Sequence, residues 1–119
     1  MKLKWEVETI VSTNVEDVAL SREPNTTVAG GQFDAKTIEQ VWAKASQELW
    51  FVYFKRDACG ATIKKDDFGK ATAFGWEIDH ILPVSKGGTD EIGNLQPLHW
   101  ENNRHKGEDY PEWSRKKRS

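Results

Sequence analysis

A set of side chains in the second half of the chain combines the groups that activate water and hold negative charge: Glu77, Asp79, His80, Asn94, His99, Asn103 and Lys106. His80 brings an imidazole whose ordinary pKa near 6.5 suits it to take a proton from water. Asp79 offers a carboxylate and Asn103 an amide oxygen. A hard cation such as Mg²⁺ prefers such oxygens, taking one or two from the protein and the rest from water and substrate. A base beside a cation that stabilises developing charge is the equipment needed to hydrolyse a phosphodiester. Asn103 and Lys106 are three apart and share one face if that segment is helical, which makes Lys106 a candidate phosphate contact. Glu77, two before Asp79, lies on the same side of a strand and is a candidate second carboxylate. His99, four before Asn103, is a rival ligand. Taken singly, each has a plainer reading: a surface histidine, a turn aspartate, a loop-holding asparagine, a solvated glutamate or lysine.

Several elements must position these groups. Residues 76–82 read as a strand, Pro83 to Asp90 as a loop carrying Gly87-Gly88, Asn94–Leu98 as a second strand with Pro97 near its end, and His99–Lys106 as a helix stopped by Gly107. Adjacent strand residues face opposite sides, so Asp79 and His80 can share a site only if the strand twists or ends there; Pro83 and the glycines supply such an ending. Upstream, Ile38, Val41, Trp42, Ala45 and Leu49 recur at helical spacing, with Asp34 or Thr37 as the cap. Trp50 to Phe54 is a short apolar run, and 55–70 read as a hairpin with Asp66-Asp67-Phe68-Gly69 as a turn. Residues 1–14 alternate weakly as a strand would, and 21–32, with Pro24, Asn25, Gly30 and Gly31, read as a linker.

Together these residues resemble the HNH endonuclease motif: Asp79-His80-Ile81, the Pro-x-Ser-x-Gly-Gly loop at 83–88, Asn94-Leu95-Gln96 and Asn103-x-x-Lys106. His80 and Asn94 are 14 positions apart, Asn94 and Asn103 are 9 apart, and the likeness covers roughly residues 55–108. The resemblance implies an α+β fold with a ββα-metal (His-Me finger) core, preceded by an N-terminal helix and an additional N-terminal strand or arm. The division expected is a strand or arm and linker over 1–32, and a nuclease domain over 33–119 with its motif core at 76–106. By the same resemblance His80 is the general base, Asn94 holds the loop and orients the histidine, and Asp79 and Asn103 are the metal ligands, in an H-N-N variant. Asp plus Asn points to Mg²⁺ or Mn²⁺, with Zn²⁺ or Ni²⁺ as the other choices. Many relatives carry two Cys-x-x-Cys pairs for a structural zinc. Here those positions fall on Arg56 and Cys59 and on His99 and Asn102, too few good ligands for a closed tetrahedral site. No structural zinc is expected, and core packing by Trp76 and Trp100 must take its place.

The activity implied is hydrolysis of DNA, with RNA the other substrate that the motif allows. Attack by water and departure of the 3′ oxygen leave a 5′-phosphate, and contacts to backbone more than to base edges imply weak sequence preference. The alternative is a catalytically silent nucleic-acid-binding module. The same domain serves phage, restriction and toxin systems, and in the last an immunity protein is a further partner. The chain has 119 residues, enough for one ordinary domain, and a formal charge of −2, so it lacks the overall basic balance of a protein that coats nucleic acid. Its single cysteine, Cys59, allows no internal disulfide. No apolar run reaches the roughly 18–20 residues needed to cross a bilayer. The opening segment lacks an apolar signal core, so a cytoplasmic location is expected, with signal-free export if the domain is a toxin.

Overall fold

The computed structural model describes residues 22–47 and 52–113. The strand expected over 1–14, the helical position Leu49, the aromatic pair Trp50 and Phe51 and the basic tail at 115–118 lie outside these residues. The described elements are helix α1 (Ala35–Trp42), strands β1 (Ser46–Gln47), β2 (Phe54–Arg56), β3 (Thr62–Lys64), β4 (Trp76–His80) and β5 (Leu95–His99), and helix α2 (Trp100–Lys106). β1, β2 and β3 form an antiparallel sheet in that order, and β4 and β5 form an antiparallel pair. The sequence β4, loop, β5, α2 is a ββα unit, and the whole is a small α+β fold.

Helix α1 starts where Asp34 accepts the backbone N–H of Thr37; hydrogen bonding from the Thr37 side chain and then from its backbone holds the Asp34 carboxyl below the usual carboxylate range. The helix is shorter than its apolar spacing suggests. It ends at Trp42, and Ser46 and Gln47 pair with Arg56 and Lys55 in β1. Lys44, just past the helix, donates to the carbonyls of Ile92 and Leu95 at 2.7 and 2.5 Å. Those tertiary bonds draw the chain out of the helical path. The hairpin also turns earlier than expected. Phe54–Arg56 pairs with Thr62–Lys64, so the turn is Asp57–Gly60, with Gly60 at φ +91°. Residues 65–67 form a single 3-10 turn instead.

In β4 every residue is buried. Trp76, Ile78 and His80 share one face, and the first two join Phe33, Val41, Trp42, Ile63 and Leu95 in the core. Trp76 is its centre: fully buried, 5.2 Å from the Trp42 ring and 4.8 Å from that of Phe68, with its indole N–H on the Lys65 carbonyl. Pro97 sits in the middle of β5, opposite Ile78, not near a strand end. Ile78 N–H points away from β5, to the Asn25 side chain. The Ile78–Pro97 pair is therefore of the non-hydrogen-bonded kind, where the missing proline N–H costs the ladder nothing.

The segment that would carry zinc in relatives is joined by a carboxylate. Asp57, 4% exposed, lies between the hairpin turn and the start of α2. Its Oδ1 accepts from the backbone of Cys59 and Ala61 at 2.9 and 2.8 Å. Its Oδ2 accepts from His99 N–H at 2.9 Å and Asn102 Nδ2 at 3.0 Å. Trp76 does pack the core, but Trp100 is only half-buried, with its indole N–H on the Thr72 carbonyl. The tie between turn and helix is hydrogen-bonded rather than aromatic. Replacing Asp57 with Ala orphans these buried donors, and the expected loss is on the order of 3 kcal/mol. Thermal unfolding should show it as a Tm lower by roughly 10 °C, and an unchanged Tm would rule out this tie as a main support.

Candidate active site

Glu77 and Asp79 occupy the face of β4 opposite the core, turned toward α2, which packs on the hairpin. Both are almost wholly buried, at 4% and 6% exposure. Buried carboxylates are costly unless each oxygen has a partner, and α2 supplies several. Glu77 accepts from Asn103 Nδ2 at 2.8 Å and from the Arg104 guanidinium at 2.7 Å. Asp79 accepts from Gln96 Nε2 at 2.9 Å on the paired strand, and its Oδ1 lies 3.3 Å from the Lys106 ammonium. Lys106 also donates to the His80 carbonyl at 3.1 Å. Burial pushes the Asp79 carboxyl above the usual carboxylate range, and the Lys106 charge and the Gln96 bond pull against that rise.

His80 projects from the other face. Its ring lies 6.0 Å from that of Phe33, and its Nε2 is 2.8 Å from Asp90 Oδ1. The two faces meet in one place because β4 ends at His80 and its outer edge borders an open cleft of about 320 Å³. Asp79, His80 and Asn103 all line this cleft, with Arg22 and Asn25 on one side and Arg104 and Glu108 on the other. The opposite-face problem is thus resolved by a site that runs along the strand edge.

Asn94 closes the loop between the strands. Its Oδ1 accepts from Leu82 N–H, and its Nδ2 donates to the carbonyls of Leu82 and Thr89. Gly88 lies against this clasp, and a Cβ there would sit 1.7 Å from the Leu82 oxygen, so no other residue fits. His99 does not border the cleft. Its Nδ1 accepts the Glu101 N–H as the cap of α2, and its Nε2 donates to the Ala73 carbonyl. Lys106 points inward at 2% exposure rather than into solvent. Glu77 is engaged by α2 through both oxygens and bonds the amide of Asn103. Because an ionised carboxylate only accepts, it holds the Asn103 NH₂ and leaves the amide oxygen unengaged by Glu77.

Sequence reading missed Asp90, Gln96 and the segment 22–31. That segment, read as a linker, is tied to the hairpin by Asn25 on Ile78 N–H and by Val28 N–H on Asp90. Arg22 braces it by donating to the carbonyls of Thr26 and Thr27. The signal available was Asn25, whose φ of +61° is of the kind asparagine tolerates better than most residues.

Among the described residues no three or more His, Cys, Asp or Glu gather into a metal-holding cluster. Glu23, Asp79, Asn103 and Glu108 all line the cleft; of these, Asp79 and Asn103 are the pair that the motif supplies, one charged and one neutral, and such a pair suits a cation that keeps most of its water.

Residues 58–109 match the family model described as HNH endonuclease. This segment is recognised as an HNH endonuclease domain, and the β4, loop, β5, α2 order is consistent with a ββα-metal fold. No curated protein and no solved structure matches the chain. No helix among the described residues is long and apolar enough to cross a membrane.

The Asp79–Lys106 pair gives a pH-dependent expectation. Lys106→Met leaves Asp79 buried without its counter-charge, at a cost of about 3–5 kcal/mol near neutrality. A carboxyl raised in the folded state binds its proton more tightly folded than unfolded. Its cost is therefore absent below the ordinary carboxylate pKa and grows as pH rises toward the raised value. Urea unfolding should show the wild type and Lys106→Met converging toward about pH 4, the ordinary aspartate range, and Asp79→Asn combined with Lys106→Met should recover most of the loss. A pH-independent gap would contradict the pairing.

Proposed function

We propose that this chain is a divalent-cation-dependent endonuclease that cleaves DNA, with His80 as the general base and Asp79 and Asn103 as the cation's protein ligands. The observation that carries this reading is that Asp79, His80 and Asn103 line one cleft along the β4 edge. The match of residues 58–109 to the HNH endonuclease model supports a nucleic-acid substrate.

His80 accepts a proton from the attacking water. Asp79 and Asn103 present hard oxygens that favour Mg²⁺ or Mn²⁺ over softer ions. A cation held there would act as a Lewis acid for the charge that builds on the phosphoryl oxygens and the departing 3′ oxygen. Glu77 keeps the Asn103 amide in the orientation that this needs. Lys106 serves as the counter-ion of Asp79 before a divalent ion arrives. The cleft is bordered by Arg22 and Arg104 but also by Glu23, Asp79 and Glu108. A phosphodiester therefore gains little there without added positive charge, which supports a cation requirement.

Supercoiled plasmid incubated with the purified protein should be nicked or linearised with Mg²⁺ or Mn²⁺ and left intact with a chelator. His80→Ala should lower the rate by about 10²–10⁴-fold without loss of DNA binding. Retained turnover in that variant would remove the base assignment. A gel shift with no cleavage under any divalent ion would favour a silent binding module.

A further inference from the structure

The geometry points to Asp90 as the positioning residue for His80, fixing the ring so that Nε2 carries the hydrogen and Nδ1 is the nitrogen that takes the proton from water. This inference rests on the proposed role of His80 as base.

Asp90 Oδ1 lies 2.8 Å from His80 Nε2. An ionised carboxylate has no proton to give, so the hydrogen between the two atoms belongs to the imidazole. A neutral imidazole with hydrogen on Nε2 has its lone pair on Nδ1, and the partner of one ring nitrogen thereby selects the task of the other. The strand-end backbone and the Phe33 ring restrict the ring further: the His80 side chain is 9% exposed and the Phe33 ring lies 6.0 Å away.

Asp90 is itself held from two sides, as a residue that sets another's orientation must be. Val28 N–H donates to both of its carboxylate oxygens, at 3.0 and 3.2 Å. The carbonyl of Thr89, the residue before it, accepts from Asn94 Nδ2 at 2.9 Å. The family's middle asparagine therefore reaches the histidine through Thr89 and Asp90. The 22–31 segment acquires a task as well, since Arg22 stabilises the turn that presents Val28 N–H.

In the step implied, a water O–H bond breaks and its proton passes to His80 Nδ1. The water oxygen forms the new bond to phosphorus while the bond to the 3′ oxygen breaks, and that oxygen takes a proton from solvent. Asp90 accepts no proton and keeps its charge.

The test uses the full chain. Long-range ¹⁵N–¹H spectra of the histidine rings should show the His80 signals, assigned by their loss in His80→Ala, in the Nε2–H form. In Asp90→Ala they should show a mixture of tautomers. Steady-state cleavage of an oligonucleotide duplex with Mn²⁺ should show kcat lower by about 10- to 100-fold in Asp90→Ala, the usual range for groups that orient a catalytic side chain. KM should move by no more than about twofold. Asp90→Asn, nearly the same in shape, guards against misfolding: its Tm should stay close to wild type while kcat falls. An Nδ1–H tautomer in the wild type, or an undiminished kcat in both Asp90 variants, would overturn the inference. If His80→Ala is inactive in that case, the base assignment survives without Asp90. If His80→Ala is active, the base assignment itself has failed.

Discussion

Two carboxylates, Glu77 and Asp79, stand on one face of a short strand with almost no access to water, and the ββα unit is arranged around keeping them there. Each buried ionised group costs several kcal/mol unless its oxygens are matched. The match comes from one turn of α2, where Asn103, Arg104 and Lys106 lie over the two carboxylates, and from Gln96 across the strand pair. The helix cannot slide or rotate without leaving at least one of these groups unpartnered. This fixes the position of the Asn103 amide relative to the β4 edge, and with it the geometry on which the proposed cation ligands depend. An apolar contact would tolerate a range of helix positions, whereas the polar one admits few.

The same economy governs the other end of α2. At the positions where the resemblance would place zinc cysteines in many relatives, one aspartate here accepts four N–H groups from the two segments. The exchange of a metal for a carboxylate is chemically reasonable, because both gather several groups around one point and both lose their effect if the gathering is incomplete. Cys59 is a buried residue beside the tie, in keeping with its small apolar character.

The catalytic candidate His80 belongs to the opposite face and to loop geometry. Its ring is set by Asp90, which sits in the glycine-containing loop. The loop is held by Asn94 inside and by the 22–31 segment outside. Function is commonly carried by loops fixed to a rigid scaffold, and here the scaffold is a strand pair with the N-terminal segment laid along its outer edge. A segment with the composition of a linker therefore borders the cleft and helps to orient the base.

The order of residue types was enough to locate the ββα unit, the histidine, the carboxylate beside it and the asparagines at 94 and 103, because short-range spacing reflects strand and helix periods directly. It also marked Gly88 as a loop residue and Asn94 as the side chain that holds the loop, although it placed Asn94 in the second strand, which starts at Leu95. The sequence did not reveal the early end of α1, since apolar spacing continued through Ala45 while the bonds from Lys44 to the 92–95 turn diverted the chain. It did not reveal that Pro97 is central in β5, because strand pairing decides which N–H groups face outward. The buried roles of Asp57 and Lys106, the cap made by His99 and the contact between Asp90 and His80 were settled only by the tertiary structure. Each depends on a partner chosen across a turn or across the core. A carboxylate or a lysine has the same local pattern in solvent as in a buried pair, and what separates the two cases is the set of groups that folding brings within about 3 Å, the hydrogen-bonding distance.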